Sequence, residues 1–112
     1  MPSYLMLVYS RAKPGQEAAY NDWYSNQHVP DVLSVPGFVA AQRFEIEGLA
    51  DDASGRQYLA IYEIDGITLE EAQTKLAAAV QSGQVTLSET LDLPNVSRVL
   101  LRPMTERITP TA

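Results

Sequence analysis

The run Asn21-Asp22-Trp23-Tyr24-Ser25-Asn26-Gln27-His28-Val29-Pro30-Asp31 holds the only tryptophan and the only histidine of the 112-residue chain. It lies where a helical pattern meets a proline. Upstream, Lys13-Pro14-Gly15 is a turn that can launch a helix, since proline is tolerated in a first helical turn, and Glu17 suits the positive end of a helix dipole. Ala19, Tyr20, Trp23 and Gln27 recur at helical spacing, as do Tyr20, Tyr24 and His28, so two adjacent rows share one face. The pattern predicts a helix from about Pro14 to about Gln27. His28 then falls in its last turn or just beyond, because Pro30 disfavours helical geometry at Val29. Asp31 to Ser34 can add one turn before Val35-Pro36-Gly37 stops and reverses the chain.

Outward from this run, strands come into view. Tyr4 to Ser10 is a short run of strand formers, apolar on both alternating faces. Phe38 to Ile46 reads as a second strand, with Phe38, Ala40, Gln42, Phe44 and Ile46 on one face and Val39, Ala41, Arg43 and Glu45 on the other. Gly48 to Arg56 is a polar connection, expected as an open hairpin loop, and Gln57 to Asp65 is a third strand. Thr68-Leu69-Glu70-Glu71 fits a capping box, a threonine cap with glutamate three residues on. The helix it opens carries Leu69, Ala72, Leu76 and Val80 on one face and ends at Ser82-Gly83. Gln84 to Asn95 is irregular, and Val96 to Arg102 is a last strand.

The order strand, helix, strand, strand, helix, strand is that of the ferredoxin-like βαββαβ fold, an α+β class with two helices on one face of a four-stranded antiparallel sheet. One such domain is expected over residues 1–104, with a C-terminal tail at 105–112. The opposite sheet face should alternate apolar and polar, but the first, third and last strands are apolar there too. That much exposed apolar surface predicts a homodimer joined sheet to sheet by a two-fold axis.

Composition removes several function classes. The chain has no cysteine, which rules out a thiolate nucleophile, a zinc–thiolate site and a disulfide. The formal net charge of −6 argues against a nucleic-acid partner, which needs a basic face. No apolar run reaches the roughly 18 residues of a membrane span, and Met1-Pro2-Ser3-Tyr4 lacks the features of a signal peptide. A cytoplasmic location is the expectation. A single histidine among scattered carboxylates offers no metal-ligand cluster, and no glycine-rich phosphate loop is present, so neither a metal nor a nucleotide cofactor is expected.

Lys13-Pro14-Gly15, Tyr20, Trp23-Tyr24, His28, Pro30 and Val35-Pro36-Gly37-Phe38 together resemble the first half of EthD-like proteins, of the dimeric α+β barrel superfamily. The resemblance spans about residues 10 to 40. It implies a ferredoxin-like protomer, a dimer whose two sheets close into a barrel, and a pocket between helices and sheet. Gly15 to His28 is a residue shorter than in typical members, which leaves open whether Trp23 or Tyr24 faces the pocket. Members include isomerases, polyketide cyclases, cofactor-free monooxygenases, haem-degrading enzymes and proteins with no known reaction, so the fold alone assigns no chemistry. In several cofactor-free members a pocket histidine is a general base or binds substrate; the resemblance places that role on His28.

The residues allow the same reading and a plainer one. A histidine has an ordinary pKa near 6.5, which suits proton transfer beside a carbonyl, but a histidine at a helix C-terminus can equally be a cap. Tyr24 lies four residues before His28 and can share its space, as a donor to a substrate carbonyl or as packing. Asp31 can orient the imidazole. Trp23 reads as wall more than tool. Tyr9, Phe38 and Tyr62 are candidates to line an apolar pocket for an aromatic or lactone-like molecule, although Tyr9 and Tyr62 can equally point into the dimer seam; Arg43 and Arg98 are candidate anion clamps, solvated edge residues or partners in an interface ion pair. Three functions follow: a cofactor-independent enzyme of small-molecule metabolism (isomerase, cyclase, lyase or monooxygenase) with His28 and Tyr24 catalytic; a non-catalytic binding or assembly module; and a haem-binding protein.

Overall fold

A computed structural model describes residues 4–47 and 57–111 of the chain. The elements are β1 (Tyr4–Ser10), α1 (Glu17–Trp23), a π turn (Tyr24–His28), α2 (Val29–Leu33), β2 (Phe38–Glu45), β3 (Tyr58–Ile64), α3 (Leu69–Ser82) and β4 (Ser97–Leu101). The strands form one sheet in the order β2-β3-β1-β4, with every neighbouring pair antiparallel. This is the ferredoxin-like arrangement expected from the order of elements. The connection expected as a hairpin loop between Gly48 and Arg56 lies outside the described residues.

Local chemistry explains where the second helix begins and ends. The Thr68 hydroxyl accepts from the Glu71 amide at 3.0 Å while the Glu71 carboxylate accepts from the Thr68 amide at 2.9 Å. Two otherwise orphaned amides are thereby satisfied. Gly83 ends the helix in the left-handed region at φ 84°. Ala72, Leu76 and Ala79 point into the core, which the helix shares with Met6 and Val8 of β1 and Ala60, Tyr62 and Ile64 of β3.

Two expectations need correction. The first helical run does not stop near Gln27. It continues through His28 and Pro30 to Leu33. A proline inside a helix lacks one amide donor and crowds the carbonyl four residues back. Here the turn ahead of it widens: the Val29 amide reaches the Tyr24 carbonyl, five residues back. The hydrogen-bond register restarts there, so Pro30 stands in the first turn of α2, where a missing donor costs nothing. His28 is therefore within a continuous helical run, and a role as a C-terminal cap falls away.

The second correction concerns β2. Phe38 pairs with Ile64, but Ala40, not Val39, pairs with Glu63. Val39 is the extra residue of a β-bulge, and it inverts the alternation beyond it. Ala41, Arg43 and Glu45 therefore share the helix-covered face with Phe38, while Gln42 and Phe44 turn outward opposite Ile61 and Leu59.

The outer face of the sheet is left without cover by the described residues. Leu5, Leu7, Tyr9, Leu59 and Ile61 are half-buried there. Phe44, Val99 and Leu101 remain 40%, 42% and 38% exposed. Beyond β4, residues 102–111 are exposed, with Met104 and Ile108 among them. Among the described residues, no helix is long and apolar enough to cross a membrane.

Candidate active site

A cavity of about 450 Å³ opens on the helix side of the sheet. Its floor is the inner face of β1 and β3, through Met6, Val8, Ser10 and Tyr62. One wall is Tyr24, His28 and Val32 of the π turn and α2. The opposite wall is Leu76, Ala77, Val80 and Gln81 of α3, and the irregular segment from Val85 to Val96 closes the side next to β4. Most of this lining is aliphatic. The volume lies within the range that holds small organic molecules, about 300–1,000 Å³.

His28 borders the cavity in an asymmetric environment. The Thr86 backbone hydrogen-bonds the imidazole, whereas Nδ1 is buried with no hydrogen-bond partner among the described residues. With Nε2 as the N–H that faces the Thr86 backbone, Nδ1 is the basic nitrogen of the neutral ring. Neighbouring contacts hold the Thr86 segment against the π turn: Gln27 donates to the Thr86 hydroxyl at 3.2 Å, and Gln84 donates to the Ser34 hydroxyl at 2.9 Å. Trp23 lies 4.7 Å from the imidazole, centroid to centroid, and the Tyr24 ring meets it edge-on at 4.8 Å. Desolvation by this packing lowers the His28 pKa below its ordinary value of 6.5, against the raising effects of the Thr86 backbone bond and the Asp31 charge.

Two phenols stand beside the imidazole. The Tyr62 and Tyr24 hydroxyls lie 3.4 Å apart, within hydrogen-bond reach, and both residues line the cavity. Burial raises the Tyr24 pKa well above its usual value and that of Tyr62 to about 12. Both phenols stay protonated near neutral pH and serve as donors rather than bases.

Behind them lies an aromatic cluster on a single cation. The Arg43 guanidinium sits 4.5 Å from the Tyr24 ring centroid, 5.5 Å from Tyr58 and 5.6 Å from Tyr20. It donates to the Ser25 hydroxyl and the Asn21 side-chain carbonyl, each at 2.9 Å. Tyr20 is fully buried and hydrogen-bonds Ser10 at the cavity floor. The bulge at Val39 is what turns Arg43 toward these rings.

The structure thus brings His28, Tyr24 and Tyr62 together at one cavity. Trp23 packs behind the imidazole and is not part of the lining, so Tyr24 is the residue of that pair that faces the space. Phe38 is buried edge-on to Tyr62 at 6.4 Å, one layer away. Asp31 acts on His28 through its charge and does not line the cavity. Arg43 lies behind the tyrosines, in a separate recess with Asn21, Phe44, Glu45 and Tyr58. Tyr9 belongs to neither. Its neighbours Val8 and Ser10 face inward, so strand alternation puts Tyr9 on the outer sheet face. Sequence reasoning did not single out Ser10, Tyr20 or Gln81 as site residues. For Tyr20 a signal existed in its spacing of four from Tyr24.

No family model and no curated protein sequence matches this chain. Solved structures do match it. An ethyl tert-butyl ether D (EthD) family protein from Bacillus halodurans aligns at 17% identity and a TM-score of 0.52, over 93% of this chain and all (100%) of its own. A dimeric ferredoxin-like protein from Jannaschia sp. aligns at 13% identity and 0.55, over 88% of this chain and 97% of its own. A monooxygenase from the gene ActVA-Orf6 of Streptomyces coelicolor, solved with nanaomycin D, aligns at 12% identity and 0.56, over 98% and 94%. Across such low identities the common property is the fold, which here is EthD-like and ferredoxin-like.

Proposed function

We propose that this protein is a homodimeric enzyme of small-molecule metabolism that uses neither a metal nor a nucleotide, with His28 as its proton-transfer group. One observation carries the reading: a basic imidazole nitrogen, buried and unpartnered, on a residue that borders an apolar cavity. A neutral imidazole takes a proton from carbon adjacent to a carbonyl, and the enolate oxygen that forms is stabilised by the protonated phenol of Tyr24. The proton can return at another carbon, giving isomerisation, or the enolate can cyclise, eliminate or meet oxygen. The ligand-bound monooxygenase of the same fold supports a small aromatic or lactone-like substrate.

The reaction common to all these outcomes is exchange at an acidic carbon. Anthrone and a butenolide, incubated with the protein in heavy water, are expected to take up deuterium faster than in buffer, as read by proton NMR. Binding of either compound with no acceleration would instead favour a non-catalytic binding module, for which the bond between Thr86 and His28 is the supporting contact.

The outer sheet face supports the homodimer, and so does the dimeric structure of the same fold. Sedimentation equilibrium should give about twice the 12.3 kDa chain mass. A monomer at micromolar concentration would rule out the sheet-to-sheet pairing.

A further inference from the structure

Resting on the reading of the cavity as a ligand site, we propose that Arg98 makes it selective for amphipathic anions: an apolar body in the cavity, with one carboxylate-like group at the mouth. Among the described residues, Arg98 is the only one lining the cavity that carries a formal charge at neutral pH, and it is itself exposed, which puts it at the opening. It pairs with Val8 across β4 and β1, on the inner face of the sheet and not on the outer one.

Three other arginines, Arg11, Arg43 and Arg102, have partners. Arg11 lies 3.6 Å from Asp92, Arg43 has Ser25, Asn21 and three tyrosine rings, and Arg102 approaches the Tyr4 ring. The Arg98 side chain forms no hydrogen bond or ion pair among the described residues. A guanidinium offers a planar pair of donors that fits a carboxylate or sulfonate. Aliphatic walls beside it keep water away from one side of such a pair and strengthen it. The protein's net charge of −6 gives no general attraction for anions, so selectivity for one would have to come from this local cation.

Two fluorescent probes share one ring system and differ in charge: anilinonaphthalene sulfonate and the neutral N-phenylnaphthylamine. The native protein should bind the sulfonate more tightly. Arg98→Met should weaken the sulfonate at least about tenfold and leave the neutral probe unchanged, and Arg98→Lys should recover part of the loss. Ala77→Trp, which sets an indole into the opening, should abolish both. Equal weakening of the two probes in Arg98→Met, or no weakening, overturns the anion site while leaving the cavity reading intact. Failure of the native protein to bind either probe, or binding that survives Ala77→Trp, overturns both.

Discussion

Replacing His28 by asparagine is expected to lower the deuterium-exchange rate at least about a hundredfold, the usual contribution of a positioned general base. Asparagine can keep a hydrogen bond to the Thr86 backbone, so the fold should survive while the basic nitrogen is lost. The pH profile separates chemistry from packing. Burial lowers the His28 pKa below 6.5, so the base form persists to lower pH than in a free histidine. The native rate should rise with pH through that lowered value and be flat by pH 7. Stability follows the same sign. The folded state binds fewer protons than the unfolded chain once pH falls below about 6.5, so stability is full above that point and declines as pH drops toward the folded value. His28→Asn should flatten this acid-side decline. A folded variant with an undiminished rate would remove His28 from the chemistry.

Tyr20→Ala should have the largest effect on stability, about 3–5 kcal/mol, as for other large aromatic truncations in a core. The ring is fully buried and meets Tyr24, Tyr58 and Trp23 at centroid distances of 5.6, 5.3 and 6.2 Å. Its hydroxyl is the partner of buried Ser10. Against a total stability of about 5–15 kcal/mol the alanine variant is near the limit of folding, so Tyr20→Phe is the companion measurement. It removes only the hydroxyl and leaves Ser10 unpaired, at about 1–3 kcal/mol. Urea denaturation reads both. A loss below about 1 kcal/mol for Tyr20→Ala would mean that the cluster around Arg43 does not depend on this ring.

Much of the fold was legible because its signals are local. Tyr4–Ser10 was readable as a strand to the residue, and the Thr68 box and Gly83 marked both ends of α3 because caps are chemistry confined to a few adjacent positions. What escaped depends on contacts distant in sequence or on a change of period. Pro30 looked like a stop, since nothing in the local pattern announces that the preceding turn will widen. Tyr9 was a candidate for the pocket or the dimer seam because β1 is apolar on both faces, and a strand of that kind gives no sign of which side is inside. The segment from Val85 to Val96 supplies a wall of the cavity, yet has no periodicity to read. His28 and Tyr24 could be paired from their spacing and Tyr62 was a candidate for the same pocket, whereas the approach of the Tyr62 hydroxyl to that of Tyr24 depends on contacts distant in sequence.

The extra residue at Val39 and the widened turn at Tyr24–His28 have a common consequence for comparing this chain with others. Each acts as a one-residue insertion inside a regular element. A homologue without the bulge would share the facing of Arg43 only if a gap were opened within the strand, and one without the π turn would need a gap within the helix. Alignment methods charge most for gaps in those places. Matched without gaps, the position of Arg43 would be equated with an outward one, and residues beyond the π turn would drift around the helix axis by about 100°. The stretches that build this site are therefore the ones where residue-by-residue identity is the poorest guide to shared function.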